Sequence, residues 1–253
     1  MANTPDLSGR SIFITGAARG LGRSMAIKLA SCGATVAVVD LDQSACDAVA
    51  GEIRASGGRA HAFAADVANR EVLLGAAGRF AALGGRIDAV INNAMLLKYE
   101  PVENITEATL NRMVSIGING SVWGAQALLA HYDPARGGAI INMASPVAEK
   151  GFPNTAAYSL VKGAIVTLTK ALSAELGPRG IRVNAIAPGS VPTPGALGLN
   201  DKSEYERRTR TIPLRRLGSE DDNAEACAFL LSDAASFING EILHVDGGIA
   251  AAG

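Results

Sequence analysis

Short apolar runs alternate along the chain with longer stretches of helical periodicity. The apolar runs predict strands at Ser11–Thr15, Thr35–Asp40, Ala60–Ala64, Ile87–Asn92, Ala139–Ala144, Arg182–Ala187 and Ile242–Val245. Several are unbroken Val/Ile-rich runs rather than alternating ones, the pattern of strands buried on both faces. Helical spacing fills the intervals near Leu21–Cys32, Gln43–Ser56, Arg70–Leu83, Thr106–His131, Thr155–Leu176 and Glu220–Leu231. Thr106 is a helix-starting residue, and Gly177-Pro178 stops the helix that precedes it. Repeated strand–helix–strand units predict an α/β fold, a parallel sheet with helices on both faces. No linker, internal repeat or low-complexity tract interrupts the series, so one domain over residues 1–253 is expected.

One stretch breaks the pattern. Pro188 to Arg216 holds four prolines, three glycines and a cluster of charges. A long irregular segment in a compact domain is usually functional, so a substrate loop is expected around 188–216, with a plain surface excursion as the other reading. Arg207, Arg208, Arg210, Arg215 and Arg216 make it locally basic, but Glu220, Asp221 and Asp222 follow. That mixture reads as a solvated helix face rather than a nucleic-acid patch.

Composition narrows the classes further. The 253 residues are 48% hydrophobic and 19% charged with a net charge of −1, so there is a core to bury and no excess of cations for a polyanion. Cys32, Cys46 and Cys227 are too few and too scattered for a disulfide framework or a zinc site, and their odd number points to a reducing compartment. His61, His131 and His244 have no metal-like spacing, so no metal is expected. Met1 to Arg10 lacks the cationic start and apolar run of a signal peptide, and no stretch of membrane-span length is expected. The expected setting is the cytoplasm.

The first strand runs into Thr15-Gly16-Ala17-Ala18-Arg19-Gly20-Leu21-Gly22 and then a helix. Glycines there allow a tight turn, let backbone N–H groups approach a pyrophosphate, and let the helix pack closely on the sheet. The helix then turns its positive end toward the phosphates. Any tight strand–helix turn can use glycine; what sharpens the reading is Asp40, which ends the second strand 18 residues after Gly22. An acid at about that offset hydrogen-bonds the adenosine ribose. A carboxylate would repel a 2′-phosphate, so NAD is favoured over NADP, although Arg19 could serve a phosphorylated ribose. Asp66 and Asn92-Asn93-Ala94 follow the third and fourth strands, at the sheet edge where such folds bind ligands.

Tyr158 and Lys162 lie four residues apart in a helical pattern and project from one face. A phenol of pKa about 10 is a poor base at neutral pH. An ammonium about 4 Å away, at an effective dielectric of about 20, contributes around 4 kcal/mol, or about 3 pK units less whatever burial subtracts. Ser145 follows a strand and could hydrogen-bond a substrate oxygen, or simply begin a turn before Pro146.

In order and spacing the chain resembles the short-chain dehydrogenase/reductase family, in its roughly 250-residue oxidoreductase branch. The likeness rests on Thr15-Gly16-x-x-x-Gly20-x-Gly22, Asp66, Asn92-Asn93-Ala94, Asn119, Ser145, Tyr158-x-x-x-Lys162, Pro188-Gly189 and Val245-Asp246-Gly247-Gly248. It implies a Rossmann-type domain with a seven-stranded parallel sheet. It implies Tyr158 as the acid/base, Ser145 polarising the substrate oxygen, and Lys162 lowering the tyrosine pKa and holding the nicotinamide ribose. Asn119 would anchor a water linking Lys162 to a proton relay. The dinucleotide would lie along Gly16, Arg19, Gly20, Leu21, Gly22, Asp40, Asp66, Val67, Asn93, Ala94, Pro188, Gly189, Val191 and Thr193. The same resemblance implies a homotetramer and interconversion of a secondary alcohol and a ketone.

Met95 stands where the family usually has glycine, and Ala144 replaces a frequent serine. Met95, Leu96, Val147, Phe152, Val191 and Leu197 are candidates to line the cleft beside Ser145 and Tyr158, which suits a largely apolar substrate. Reduction of a 3-ketoacyl thioester is the rival reading, with Asp40 against it because those enzymes usually use NADPH. A non-catalytic dinucleotide-binding protein is a third, disfavoured by the retention of Asn119, Ser145, Tyr158 and Lys162.

Overall fold

A computed structural model describes residues 5–195 and 202–252. Seven strands form one parallel sheet in the order β3-β2-β1-β4-β5-β6-β7. They are β1 Ser11–Thr15, β2 Thr35–Asp40, β3 Arg59–Ala64, β4 Ala89–Asn92, β5 Gly138–Met143, β6 Ile181–Pro188 and β7 Ile242–Val245. The helices are α1 Gly20–Ser31, α2 Gln43–Ala55, α3 Arg70–Gly84, α4 Glu107–Val114, α5 Gly120–His131, α6 Ala156–Leu176, α7 Lys202–Thr211 and α8 Glu220–Leu231.

Successive strand residues serve opposite faces. Ile12 and Ile14 of β1 pack with Met25 and Leu29 of α1, Ile53 of α2 and Leu231 of α8, whereas Phe13 packs with Phe80 of α3 and Leu128 of α5. Two apolar layers therefore enclose the sheet, and this is why its strands read as continuous apolar runs. Chain-local chemistry sets the helix ends. Asp42, Asn69 and Thr106 accept backbone N–H bonds at the starts of α2, α3 and α4. Ser219 and Asp222 form a reciprocal capping box on α8.

The structure departs from the sequence expectations in three places. The helix expected over Thr106–His131 is continuous but contains a π-helical turn, Ser115–Asn119, between α4 and α5. Gly117 lies in it, where a Cβ would come within 2.4 Å of Val161, so the added residue lets the helix press against α6. Ser121 Oγ donates to Gly117 O at 2.7 Å, supplying a partner for that carbonyl. The same helix, Glu107–His131, is long and apolar enough to cross a membrane by length and composition, contrary to the expectation of no such stretch. Its apolar side instead packs on α3 and β4. Finally, 188–216 is not irregular throughout, because α7 occupies its middle. Glu204 pairs with Arg207 and Arg208 at i+3 and i+4, local support that the surrounding prolines and glycines masked.

Candidate active site

The strand order reverses between β1 and β4, opening a crevice at the carboxyl ends of the strands. Two adjoining spaces lie there. The first, about 350 Å³, is lined by Gly16, Arg19, Gly20, Leu21, Asp40, Asp66, Val67, Asn93, Ala94 and Thr193. Gly16 and Gly20 have φ of +64° and +56°, the left-handed region that favours glycine. A Cβ on Gly22 would lie 2.1 Å from Gly16 O, so the turn and α1 meet with no room for a side chain. Asn93 locks this turn to β4, donating from Nδ2 to Thr15 O at 3.0 Å and to Gly16 O at 2.9 Å. Its side chain is thus committed to holding the glycine turn. Thr15 Oγ1 accepts from the Asn93 and Ala94 backbones at 3.1 and 3.2 Å.

Asp40 accepts from Ala18 N at 3.2 Å and Leu41 N at 2.8 Å, which orients its carboxylate at the cleft wall. Asp66 accepts from Ala68 N and pairs with Arg112 at 3.1 Å. Arg112, which lines the cleft, was not signalled by the sequence because its helix meets Asp66 only in the fold. A glycine cradle, a free helix N-terminus and an acid at the end of β2 fit a dinucleotide.

The second space is a chamber of about 170 Å³ bordered by Ser145, Tyr158, Lys162, Met95, Asn93, Pro188, Gly189, Val191 and Thr193. Thr193 and Leu21 line both spaces and so mark their junction. Gly189 lies where a Cβ would approach Asp246 Cα to 2.6 Å, which seats the end of β6 on the C-terminal turn. Ser145 borders the chamber beside Tyr158, and its Oγ accepts from Val147 N at 3.4 Å. Lys162 Nζ lies 5.6 Å from the Tyr158 ring centroid and donates to Met143 O. Pro188 and Gly189 also border a vestibule of about 460 Å³ with Ser145, Val147, Phe152 and Tyr99.

Electrostatics here do not follow the simple pairing expected from Tyr158 and Lys162. Burial pushes the Tyr158 phenol upward and the nearby Tyr99 adds to this, while the neighbouring Ser145 hydroxyl acts the other way. Burial lowers Lys162 to about 8. Desolvation is thus the leading influence on both groups in this arrangement.

The placement of the other candidates is mixed. Met95 and Val191 border the chamber, and Val147 and Phe152 the vestibule. Leu96 faces the dinucleotide cleft instead of the chamber, and Leu197 lies outside the described residues. Asn119 ends the π turn and does not line the chamber. The expected apolar lining is also incomplete, because Tyr99, Ser190, Tyr205 and Arg208 join it. Tyr99 packs edge-on against Tyr158 with centroids 5.6 Å apart, a contact no local pattern announces. A separate cavity of about 700 Å³, lined by Arg10, Asp88 and Arg182, lies at the opposite end of the sheet and holds none of the expected site residues.

Residues 16–250 match a family model described as enoyl-(acyl carrier protein) reductase. The 2-(S)-hydroxypropyl-CoM dehydrogenase 3 of Xanthobacter autotrophicus is 35% identical, over 97% of this chain and 98% of the relative. The chain belongs to the short-chain dehydrogenase/reductase family. Among solved members, a gluconate 5-dehydrogenase of Burkholderia cenocepacia in complex with NADP and tartrate superimposes with a TM-score of 0.93 at 32% identity, covering 98% of each chain. A 3-ketoacyl-(acyl-carrier-protein) reductase of Brucella melitensis complexed with NADH gives 0.89 at 35% identity, covering 97% of this chain and all of the other. The seven-stranded parallel sheet with helices on both faces is the Rossmann-type fold of that family.

Proposed function

We propose that this short-chain dehydrogenase/reductase is an NAD-dependent oxidoreductase that interconverts a secondary alcohol and a ketone. The observation that carries the reading is the chamber itself, which Ser145, Tyr158 and the buried Lys162 line together next to the dinucleotide cleft. When bound, a nicotinamide dinucleotide supplies the hydride acceptor or donor. Gly16, Gly20, Leu21 and Thr193 would hold it, with Arg19, Asp66, Val67, Asn93 and Ala94 along the cleft and Pro188, Gly189 and Val191 at its inner end. Asp40 at the ribose end supports NAD, since its fixed carboxylate would face a 2′-phosphate with like charge.

The protein's own part is proton transfer and positioning. In ketone reduction the Tyr158 hydroxyl donates its proton to the substrate oxygen, and its raised pKa keeps that proton in place at neutral pH. Alcohol oxidation is the reverse and starts from the ionised Tyr158, whose phenolate takes the proton of the substrate hydroxyl. Ser145 Oγ, which borders the same chamber as the phenol, orients the substrate oxygen. Lys162, close to the ring, stabilises charge that develops on the phenol oxygen. Asn119 would act through water on Lys162. A homotetramer belongs to this reading on the strength of the family resemblance alone, and a cytoplasmic setting on that of the cysteine usage and the N-terminal sequence.

Tyr158→Phe is expected to reduce turnover to background over a panel of secondary alcohols while NAD still binds, as followed by NADH production and by calorimetry. Near-normal activity would remove the mechanism. A second reading, reduction of a 3-ketoacyl thioester, is favoured by one observation: Arg207 and Arg208 stand at the vestibule where a carrier would approach. Rates on a 3-ketoacyl thioester and a simple ketone separate the two.

A further inference from the structure

Arg208 borders two spaces at once, the chamber that holds Tyr158 and Ser145 and the vestibule that opens from it. Its side chain is only 26% exposed, against 62% for Arg207. Arg208 donates from Nε to Glu204 Oε1 at 2.7 Å and from Nη1 to Ser190 Oγ at 3.4 Å. Arg207 grips the same carboxylate with Nε and Nη2, each at 2.8 Å. These hydrogen bonds, from Arg207 first and then Arg208, hold Glu204 ionised, with its carboxyl lowered to about 2. The charge of Arg208 also reaches the reacting end. It acts on the Tyr99 phenol, whose ring packs against Tyr158.

The helix that carries this arginine is seated on the floor of the site. Ile212 is buried against Gly247, and Leu214 N donates to Gly247 O at 3.2 Å. The neighbouring Asp246 packs on Gly189 and, with its carboxylate, accepts from Gly248 N and Ala250 N. One turn therefore fixes both the end of β6 and the helix bearing Arg208. An i,i+4 ion pair on an exposed helix would be ordinary surface chemistry. A guanidinium partly withdrawn from water in the wall of a reaction chamber is a different object, because its planar fork suits a carboxylate or sulfonate and its charge is less screened there.

We propose that Arg208, with Arg207 beside it, binds an anionic group on the substrate, so that the substrate is a short hydroxy acid or keto acid and Glu204 is the internal anion competing for the same guanidinium. This rests on the oxidoreductase reading above and replaces a largely apolar substrate with one that is charged at the end remote from the reacting carbon. Because Arg208 shares the chamber with Tyr158, the anion belongs to the small molecule itself and not to a carrier held at the surface.

The test compares 3-hydroxybutanoate and its higher (ω−1)-hydroxy homologues with the matching neutral carboxamides, by NADH production. Calorimetric binding of butanoate, which has no hydroxyl to oxidise, is measured alongside in the presence of NAD. The acids are expected to exceed the amides in kcat/KM by about 10- to 100-fold, the range of a charge-assisted hydrogen bond in a partly dry site. Arg208→Gln should erase that ratio mainly through KM and abolish butanoate binding. Arg208→Lys should restore part of both, which a merely structural role would not give, and Glu204→Gln should lower the KM of the acids. Acids no better than amides in the wild type, or an unchanged ratio in Arg208→Gln, overturns the proposal. So does turnover confined to carrier-linked thioesters with no binding of free acids. Loss of butanoate binding in Arg208→Gln without turnover of any alcohol would sink the oxidoreductase reading and leave the anion site standing. Turnover of neutral alcohols with no preference for acids would do the reverse.

Discussion

Lys162 is both the cation beside Tyr158 and a buried charge, and the two properties pull in opposite directions when it is replaced. Its side chain is 5% exposed and its pKa falls from 10.5 to about 8. A folded-state pKa below the unfolded value means that the unfolded chain binds more protons between about 8 and 10.5. Stability therefore rises with pH through that window and is lost as pH falls through about 8. At pH 7 the full penalty is present, about 3 kcal/mol from a shift of roughly 2.5 units. Lys162→Met removes it but leaves Met143 O without its donor, which costs about 1–2 kcal/mol. The variant is thus expected to be more stable at pH 7 by about 1–2 kcal/mol, a rise in Tm of roughly 2–8 °C for a chain of this size. By pH 10 the wild type has recovered most of its deficit, and the variant should melt at the same temperature or slightly lower. Turnover should fall by at least about a hundredfold at either pH. Thermal unfolding without added nucleotide from pH 7 to 10, paired with NADH production, reads both effects. A variant that melts lower than wild type at pH 7, or by an offset independent of pH, would refute the claim that desolvation dominates this lysine.

Two further substitutions probe the scaffold around the chamber. Asp40→Ser removes the carboxylate from the cleft wall and should raise the NADP-to-NAD ratio of kcat/KM by about tenfold or more, since a like-charge contact at the ribose carries a cost of over 1 kcal/mol. An unchanged ratio would mean that Asp40 does not face the ribose. Gly124→Ala places a Cβ 1.9 Å from Oδ1 of the buried Asn92, whose Nδ2 donates to Ser121 O and Asn142 Oδ1. Overpacking at that amide should destabilise the fold by about 3 kcal/mol, visible as a lowered Tm, and an unaltered Tm would show that β4 and α5 separate easily.

What could be read from the sequence was whatever local chain geometry dictates. The turn from β1 into α1 shows itself because close approach at Gly16 and Gly22 leaves no alternative residue. Tyr158 and Lys162 lie one helical turn apart, so their shared face follows from spacing alone. Ser145 and Asp40 are placed by the ends of strands whose apolar runs are unmistakable. The quantities that escaped depend on several elements meeting. The direction of the Tyr158 shift is set by burial and by Tyr99, which comes from a loop some sixty residues away in the chain. The π turn carries Gly117 against Val161 of another helix, a close approach that no helical pattern on its own segment encodes. Arg208 is the sharpest case. Its charge run looks solvated because acids follow it in the sequence, and in the fold those acids divide: Asp222 caps its own helix and pairs with Arg216 of the run, whereas Asp221 accepts from Ser24. Glu204, on the same helix, is shared between Arg207 and Arg208. Charge balance along a chain is therefore not charge balance in space: Arg208, which the sequence assigns to a solvated face, borders the chamber that holds Tyr158.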